Sequence, residues 1–198
     1  LPCYADSFQG DLAQWEIISG DWKTKRGNLL QQDTSVPARL RTKRSFQDFV
    51  METWVKTHLQ PHGSLLGISL HSAGDSLDFL LHEGLRQAEI IRWKNGVRLP
   101  EQTISLERDY APYAWHCIRL EKSGSYIQFL LDDHGLAEVP CHPGEVFPEV
   151  YTQMCQGTFA AFSLTTFSRA EGRQLAGFFA CETASGAFTG DDRGITYF

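Results

Sequence analysis

The sequence predicts an all-β, antiparallel fold, a sandwich or a barrel. Three observations carry this. Successive runs alternate apolar and polar residues with a period of two, the signature of a half-buried strand. Turn-forming dipeptides separate these runs at intervals of about 8–12 residues. No stretch of the 198 residues carries a convincing long helical period.

The elements follow in order. Asp48–Thr57 reads DFVMETWVKT, with Phe49, Met51, Thr53 and Val55 on one side and Glu52, Trp54 and Lys56 on the other. Ser64–His71 places Leu66, Ile68 and Leu70 on one face. Ser76–His82 repeats the pattern, Leu77, Phe79 and Leu81 inward and Ser76, Asp78 and His82 outward. Arg86–Trp93 is a fourth strand whose faces the pattern does not separate. Ala114–Glu121, Ser125–Leu131 and Thr158–Phe167 complete the series, the second with Ile127, Phe129 and Leu131 inward. Between them lie His62-Gly63, Ala73-Gly74-Asp75, Asn95-Gly96, Ser123-Gly124 and Asp132-Asp133-His134-Gly135, all with turn chemistry. Ser45–Phe49 and Pro148–Gln153 read as single helical turns. Residues 1–168 form the predicted sandwich. Residues 169–198, rich in Gly, Ser, Thr and Ala with isolated aromatics, read as an extension packed on it or as the start of a following segment.

Composition bounds the function. Hydrophobic residues are 42%, charged residues 21%, and mean hydropathy is −0.28, which excludes a disordered chain. A chain of this size buries about 70% of its surface on folding, enough for a core without disulfide staples. No apolar run approaches the roughly 20 residues that span a bilayer. A net charge of −6 and a pI near 5.6 lack the footprint of a nucleic-acid binder and give little attraction to an anionic membrane. Five cysteines, at 3, 117, 141, 155 and 181, contain no CxxC pair, and an odd count leaves a thiol unpaired. Cys141 and Cys155 could close a loop, or all five act as small apolar residues, and Cys117 is expected unpaired within a strand. The chain starts at Leu1, as a mature or excised piece would, and both a cytoplasmic and a secreted location stay open.

The opening residues add a resemblance. Asp6-Ser7-Phe8, Asp11-Leu12, Trp15-Glu16-Ile17 and Gly20-Asp21-Trp22 follow the order D-x-F-x-x-D-L-x-x-W-x-I-x-x-G-x-W and lead to Gly27-Asn28-Leu29-Leu30. Phe46-x-x-Phe49 then precedes a strand, and Trp115-His116 leads Ile118-Arg119-Leu120, Gly124-Ser125 and a strand ending at Asp132. Over about Tyr4–Phe167 this order resembles the concanavalin A-like, laminin G-like jelly-roll superfamily, above all the sandwich modules attached to bacterial glycoside hydrolases and the sugar hydrolases sharing that fold. The resemblance implies an antiparallel jelly-roll β-sandwich. Trp15 and Trp22, flanking a hairpin at Gly20, are expected in the core with Trp115, and His116 is expected as a packed histidine.

The search for chemistry is mostly negative. The jelly-roll glucanases carry E-x-D-x-x-E on a catalytic strand, and no such string occurs. Retaining hydrolysis needs carboxyls about 5–5.5 Å apart, whereas Asp132-Asp133 are sequential residues at a turn. Nucleophile elbows, P-loops, GxGxxG and HExxH are absent. His58 and His62 have a helical metal spacing, but Pro61 makes their segment a loop. The resemblance implies a structural calcium at Asp6, although the closing strand AFSLTTF lacks an Asp partner. The positive hint is the outward set Glu52, Trp54, His71, Asp78 and His82, joined by Arg92 in one register. An exposed indole beside carboxylates and imidazoles suits sugars, although solvated sheet residues would look the same. The expected function is a non-catalytic carbohydrate-binding or accessory module associated with a glycoside hydrolase. The alternatives are a glycosidase-like hydrolase of the same fold and a structural sandwich packing on a catalytic domain. The expected partners are a carbohydrate and a catalytic domain, with no nucleic acid and no membrane.

Overall fold

Alternation in the sequence becomes two stacked antiparallel sheets. The computed structural model describes residues 4–58, 64–107 and 109–167. In chain order the strands are β1 (Tyr4–Asp6), β2 (Trp15–Ser19), β3 (Trp22–Lys25), β4 (Asn28–Gln31), β5 (Ala38–Thr42), β6 (Phe49–Thr57), β7 (Leu65–Ser72) and β8 (Asp75–His82). After a 3₁₀ turn at Glu83–Leu85 come β9 (Gln87–Lys94), β10 (Val97–Ser105), β11 (His116–Ser123), β12 (Tyr126–Leu131), β13 (His134–Pro140), β14 (Phe147–Gln153) and β15 (Gly157–Thr166). Sheet A has the order β13-β12-β11-β6-β15-β4-β3, with β1 paired to β15. Sheet B has the order β10-β9-β8-β7-β14-β5-β2. The first compact unit runs to Thr166, and the 169–198 extension lies outside the described residues, as does the His62-Gly63 turn.

The core fills the space between the sheets. Phe49, Met51 and Val55 of β6, Ile118 and Leu120 of β11, and Ile127 and Phe129 of β12 face Leu66 and Ile68 of β7, Phe79 and Leu81 of β8, and Val150 of β14. One end is closed by aromatics: Trp15 meets Tyr4 edge-on at 5.8 Å and Phe162 at 4.9 Å. Trp15 and Trp22 are 3% and 5% exposed, as expected of core residues. Each strand read from alternation is present, with ends shifted by one or two residues.

Four expectations need correction. Gly20 does not close a hairpin, because β2 belongs to sheet B and β3 to sheet A. Its φ of +89° turns the chain across the sandwich, a geometry that favours glycine. Pro148–Gln153 is strand β14, paired on both sides with β5 and β7. Pro148 disguises it by withholding a ladder donor. Ser45–Phe49 forms no helical turn; Phe46 makes an isolated antiparallel bridge to Val146. Trp115 precedes β11 and is 39% exposed rather than core. Cys117 is a free thiol in β11, and Cys141 and Cys155 are also free, so no bridge joins those two. His116 is buried, its two ring nitrogens 2.6 Å from Asp132 Oδ2 and 2.9 Å from the Ala111 carbonyl.

Candidate functional site on the outer face of sheet B

The outward set expected from alternation does not share one face. Glu52 and Trp54 lie on β6 in sheet A, whereas His71, Asp78 and His82 lie outward on β7 and β8 in sheet B. Consecutive strands β6 and β7 fall in different sheets, which separates the two groups. Arg92 shares the inward parity of Ile90, and its Nη2 donates to the Pro140 carbonyl on β13 at 2.5 Å. His82 is only 7% exposed, with Nδ1 lacking a partner, at the far end of β8. Trp54 is 46% exposed, opposite Cys117 and Ala160, as alternation against Met51 and Val55 requires.

A denser cluster surrounds Asp78. The register sets Arg41 (β5), Glu149 (β14), Ser69 (β7) and Asp78 (β8) in one row across four neighbouring strands. The flanking rows bring Arg39 beside Tyr151, and Phe147 beside His71. Arg39 Nη1 donates to Glu149 Oε2 at 2.9 Å and to Ser69 Oγ at 3.1 Å, and its Nη2 lies 3.6 Å from Asp78 Oδ2. One guanidinium thus bridges two carboxylates. Arg41 Nε donates to the other Glu149 oxygen at 2.6 Å. Asp78 also accepts from Ser69 Oγ at 2.5 Å and from the Trp93 indole at 2.8 Å. The Arg39 guanidinium stacks on the Tyr151 ring at 4.5 Å, a cation–π contact that fixes it further.

Burial sorts these groups into two layers. Glu149 and Asp78 are 0% and 1% exposed, while the Arg39 and Arg41 side chains keep 22%. Carboxylates therefore form the floor, and guanidiniums, His71, Phe147 and Trp93 form the surface. Burial pushes the Asp78 carboxyl above its usual range, against the pull of Arg39, Ser69 and Trp93. Burial, and then the Arg41 charge, hold His71 below its ordinary 6.5. Tyr151 is pushed up to about 12 by burial and donates to Gln153 Oε1 at 2.6 Å. Leu65, Leu80, Ile91 and Tyr151 form a small apolar cluster on this face, with Trp93 packed against it. Beyond it, at the irregularity between Leu99 and Gln102, an open hollow of about 380 Å³ is lined by Glu89, Ile91 and Arg98 among others.

Reading the sequence missed Arg39, Arg41, Glu149, Tyr151 and Trp93. The first two had a signal: Ala38-Arg39-Leu40-Arg41-Thr42 alternates cleanly, which puts both arginines on one side of a strand. Glu149 and Tyr151 were hidden in the strand that Pro148 disguises.

Asp6 has a different setting. Its Oδ1 accepts the Phe8 amide at 2.7 Å and its Oδ2 the Trp15 indole at 2.8 Å, which ties β1 to the aromatic end of the core. Among the described residues, no group of three or more His, Cys, Asp or Glu is arranged to hold a metal. Each Asp6 oxygen retains a second lone pair, so a calcium there would draw its other ligands from backbone carbonyls.

No protein-family model matches the chain, and no curated protein does. Solved structures do. A carbohydrate binding module, CBM66, from Bacillus subtilis superimposes with a TM-score of 0.65 at 12% identity, covering 77% of this chain and 96% of that one. An endo-β-1,3-glucanase from Pyrococcus furiosus gives 0.67 at 11%, covering 84% and 94%. A Bacillus licheniformis β-glucanase gives 0.65 at 12%, covering 83% and 98%. The fold is a concanavalin A-like jelly-roll sandwich. Identities this low carry the architecture and nothing finer. The same architecture serves a binding module and two hydrolases, so function has to be argued from the site.

Proposed function

We propose that the protein is a non-catalytic carbohydrate-binding or accessory module that takes its sugar on the outer face of sheet B. One observation carries the reading: Arg39 bridges Glu149 and Asp78, so both carboxylates are spent on holding exposed donors and stay out of a substrate's reach. An acid or base must come within hydrogen-bond distance of the atom it serves. On this face the described strands also present no two carboxylates at alternating positions. Facing solvent are two fixed guanidiniums, an imidazole, the half-exposed rings of Phe147 and Trp93 and, at the β2 edge, the exposed Glu16, a set that suits hydroxyl recognition and stacking. Structural neighbours support a carbohydrate ligand in general: one is a carbohydrate binding module, and another is a transglycosylase in complex with NAG. A glycan array followed by calorimetry on the best ligand tests the reading, with Trp93→Ala expected to weaken binding by about 1–3 kcal/mol.

A second reading places the ligand on sheet A, where Trp54 is 46% exposed between the small side chains of Cys117 and Ala160, with Glu52 paired to Arg119 at 3.3 Å. There Trp54→Ala, not Trp93→Ala, would remove binding. The calcium at Asp6 belongs to the proposal as a stabilising ion: a chelator should then lower the melting temperature by mass action. An unchanged melting curve would remove calcium from the account.

A further inference from the structure

The outer face of sheet B offers an incoming ligand an excess of hydrogen-bond donors. Arg41 spends Nε on Glu149, and its Nη1 and Nη2 make no hydrogen bond among the described residues. Neither nitrogen is among the buried unpaired polar atoms, so both open to solvent. The same holds for the ring nitrogens of His71, which Arg41, Arg39, Glu149 and Asp78 surround electrostatically. The two carboxylates that balance these arginines lie beneath them at 0% and 1% exposure, already holding Arg39, Arg41, Ser69 and Trp93. Glu16 lies opposite Arg41 across the β2–β5 register, and among the described residues no ion pair joins them. A neutral hydroxyl brings a donor of its own to such a surface, whereas an ionised carboxylate only accepts. The planar fork of a guanidinium matches a carboxylate with two parallel bonds.

Resting on the sheet B reading above, we propose that the ligand is a saccharide bearing a carboxylate, of the uronic-acid class. Its carboxylate sits on the Nη fork of Arg41 beside His71, and its chain crosses β14, β7 and β8 toward Trp93. The path from β5 to β9 is four strand spacings, roughly 19 Å at about 4.8 Å each, which accommodates several sugar units.

The test is calorimetry on the whole chain with three probes: an oligosaccharide of galacturonic acid, its methyl ester, and a sulfated galactan. The acid should bind about tenfold more tightly than the ester, the scale of one charge-assisted hydrogen bond. Its affinity should fall as salt is raised, and Arg41→Gln should erase the preference for acid over ester. The comparison on the unsubstituted protein needs no variant to fold. Equal affinity for acid and ester overturns the inference; if Trp93→Ala weakens both, the sheet B reading survives. Binding of the sulfated probe alone, or of none of the three, also overturns it. Acid binding that Trp93→Ala leaves untouched overturns both the inference and the sheet B reading.

Discussion

Arg39 is the residue on which the sheet B face depends. It holds Glu149, Ser69 and the Tyr151 ring, and stands 3.6 Å from Asp78. Removing one partner of a buried ion pair leaves an uncompensated charge, so Arg39→Met should cost about 3–5 kcal/mol in denaturant unfolding. A loss under about 1 kcal/mol would mean that Arg41 alone satisfies Glu149. His71 gives a pH readout. Burial first, and Arg41 second, depress its folded-state value below 6.5. The unfolded chain therefore binds the proton more readily, and this contribution to stability is lost as pH falls from 6.5 through the folded value. Asp78 runs the other way: its raised value favours the folded state in acid and disfavours it as pH rises. Proton NMR should show the His71 midpoint below 6.5, moving up in Arg41→Gln. An unmoved midpoint would place Arg41 too far away to act on His71.

Alternation was legible in β6 and β12 because one face of each packs in the core and the other is open, and in β7 and β8 because the core-facing residues Leu66, Ile68, Leu70, Leu77, Phe79 and Leu81 recur at every second position. It failed in β14, where FPEVYTQ is buried on both faces in the interior of sheet B and the polar residues face a buried network rather than solvent. It was ambiguous in β9 for a related reason: Ile91 faces outward but is buried in an apolar cluster with Tyr151 and Leu80, against which the half-exposed Trp93 packs. Sheet membership was not legible at all, since period-two patterning assigns faces and says nothing about which sheet a strand joins. Trp54 was therefore rightly turned out of the core and wrongly grouped with His71. At this scale Gly67 makes a prediction. It sits in β7 between Tyr151 and Leu80, and a Cβ there would strike the Phe79 carbonyl. Gly67→Ala should push β8 away and cost about 1–3 kcal/mol, read from thermal unfolding. An unchanged melting temperature would show that β7 and β8 can separate without loss.

For the whole molecule, the sandwich is fixed by inward residues on both sheets, and its two outer faces differ in kind. Sheet A shows Trp54 and a surface Glu52–Arg119 pair. Sheet B shows donors built over buried acids. Turn chemistry and spacing made the architecture readable, whereas the site joins the consecutive strands β7, β8 and β9 to β5 and β14, which lie far from them and from each other in the chain. No local motif could announce it. The most direct test of the account compares Trp93→Ala with Trp54→Ala by calorimetry on one glycan that binds the unsubstituted protein. Trp93→Ala is expected to weaken binding by about 1–3 kcal/mol and Trp54→Ala to leave it unchanged. Loss of binding in Trp54→Ala, with Trp93→Ala unaffected, would contradict it and move the site to sheet A.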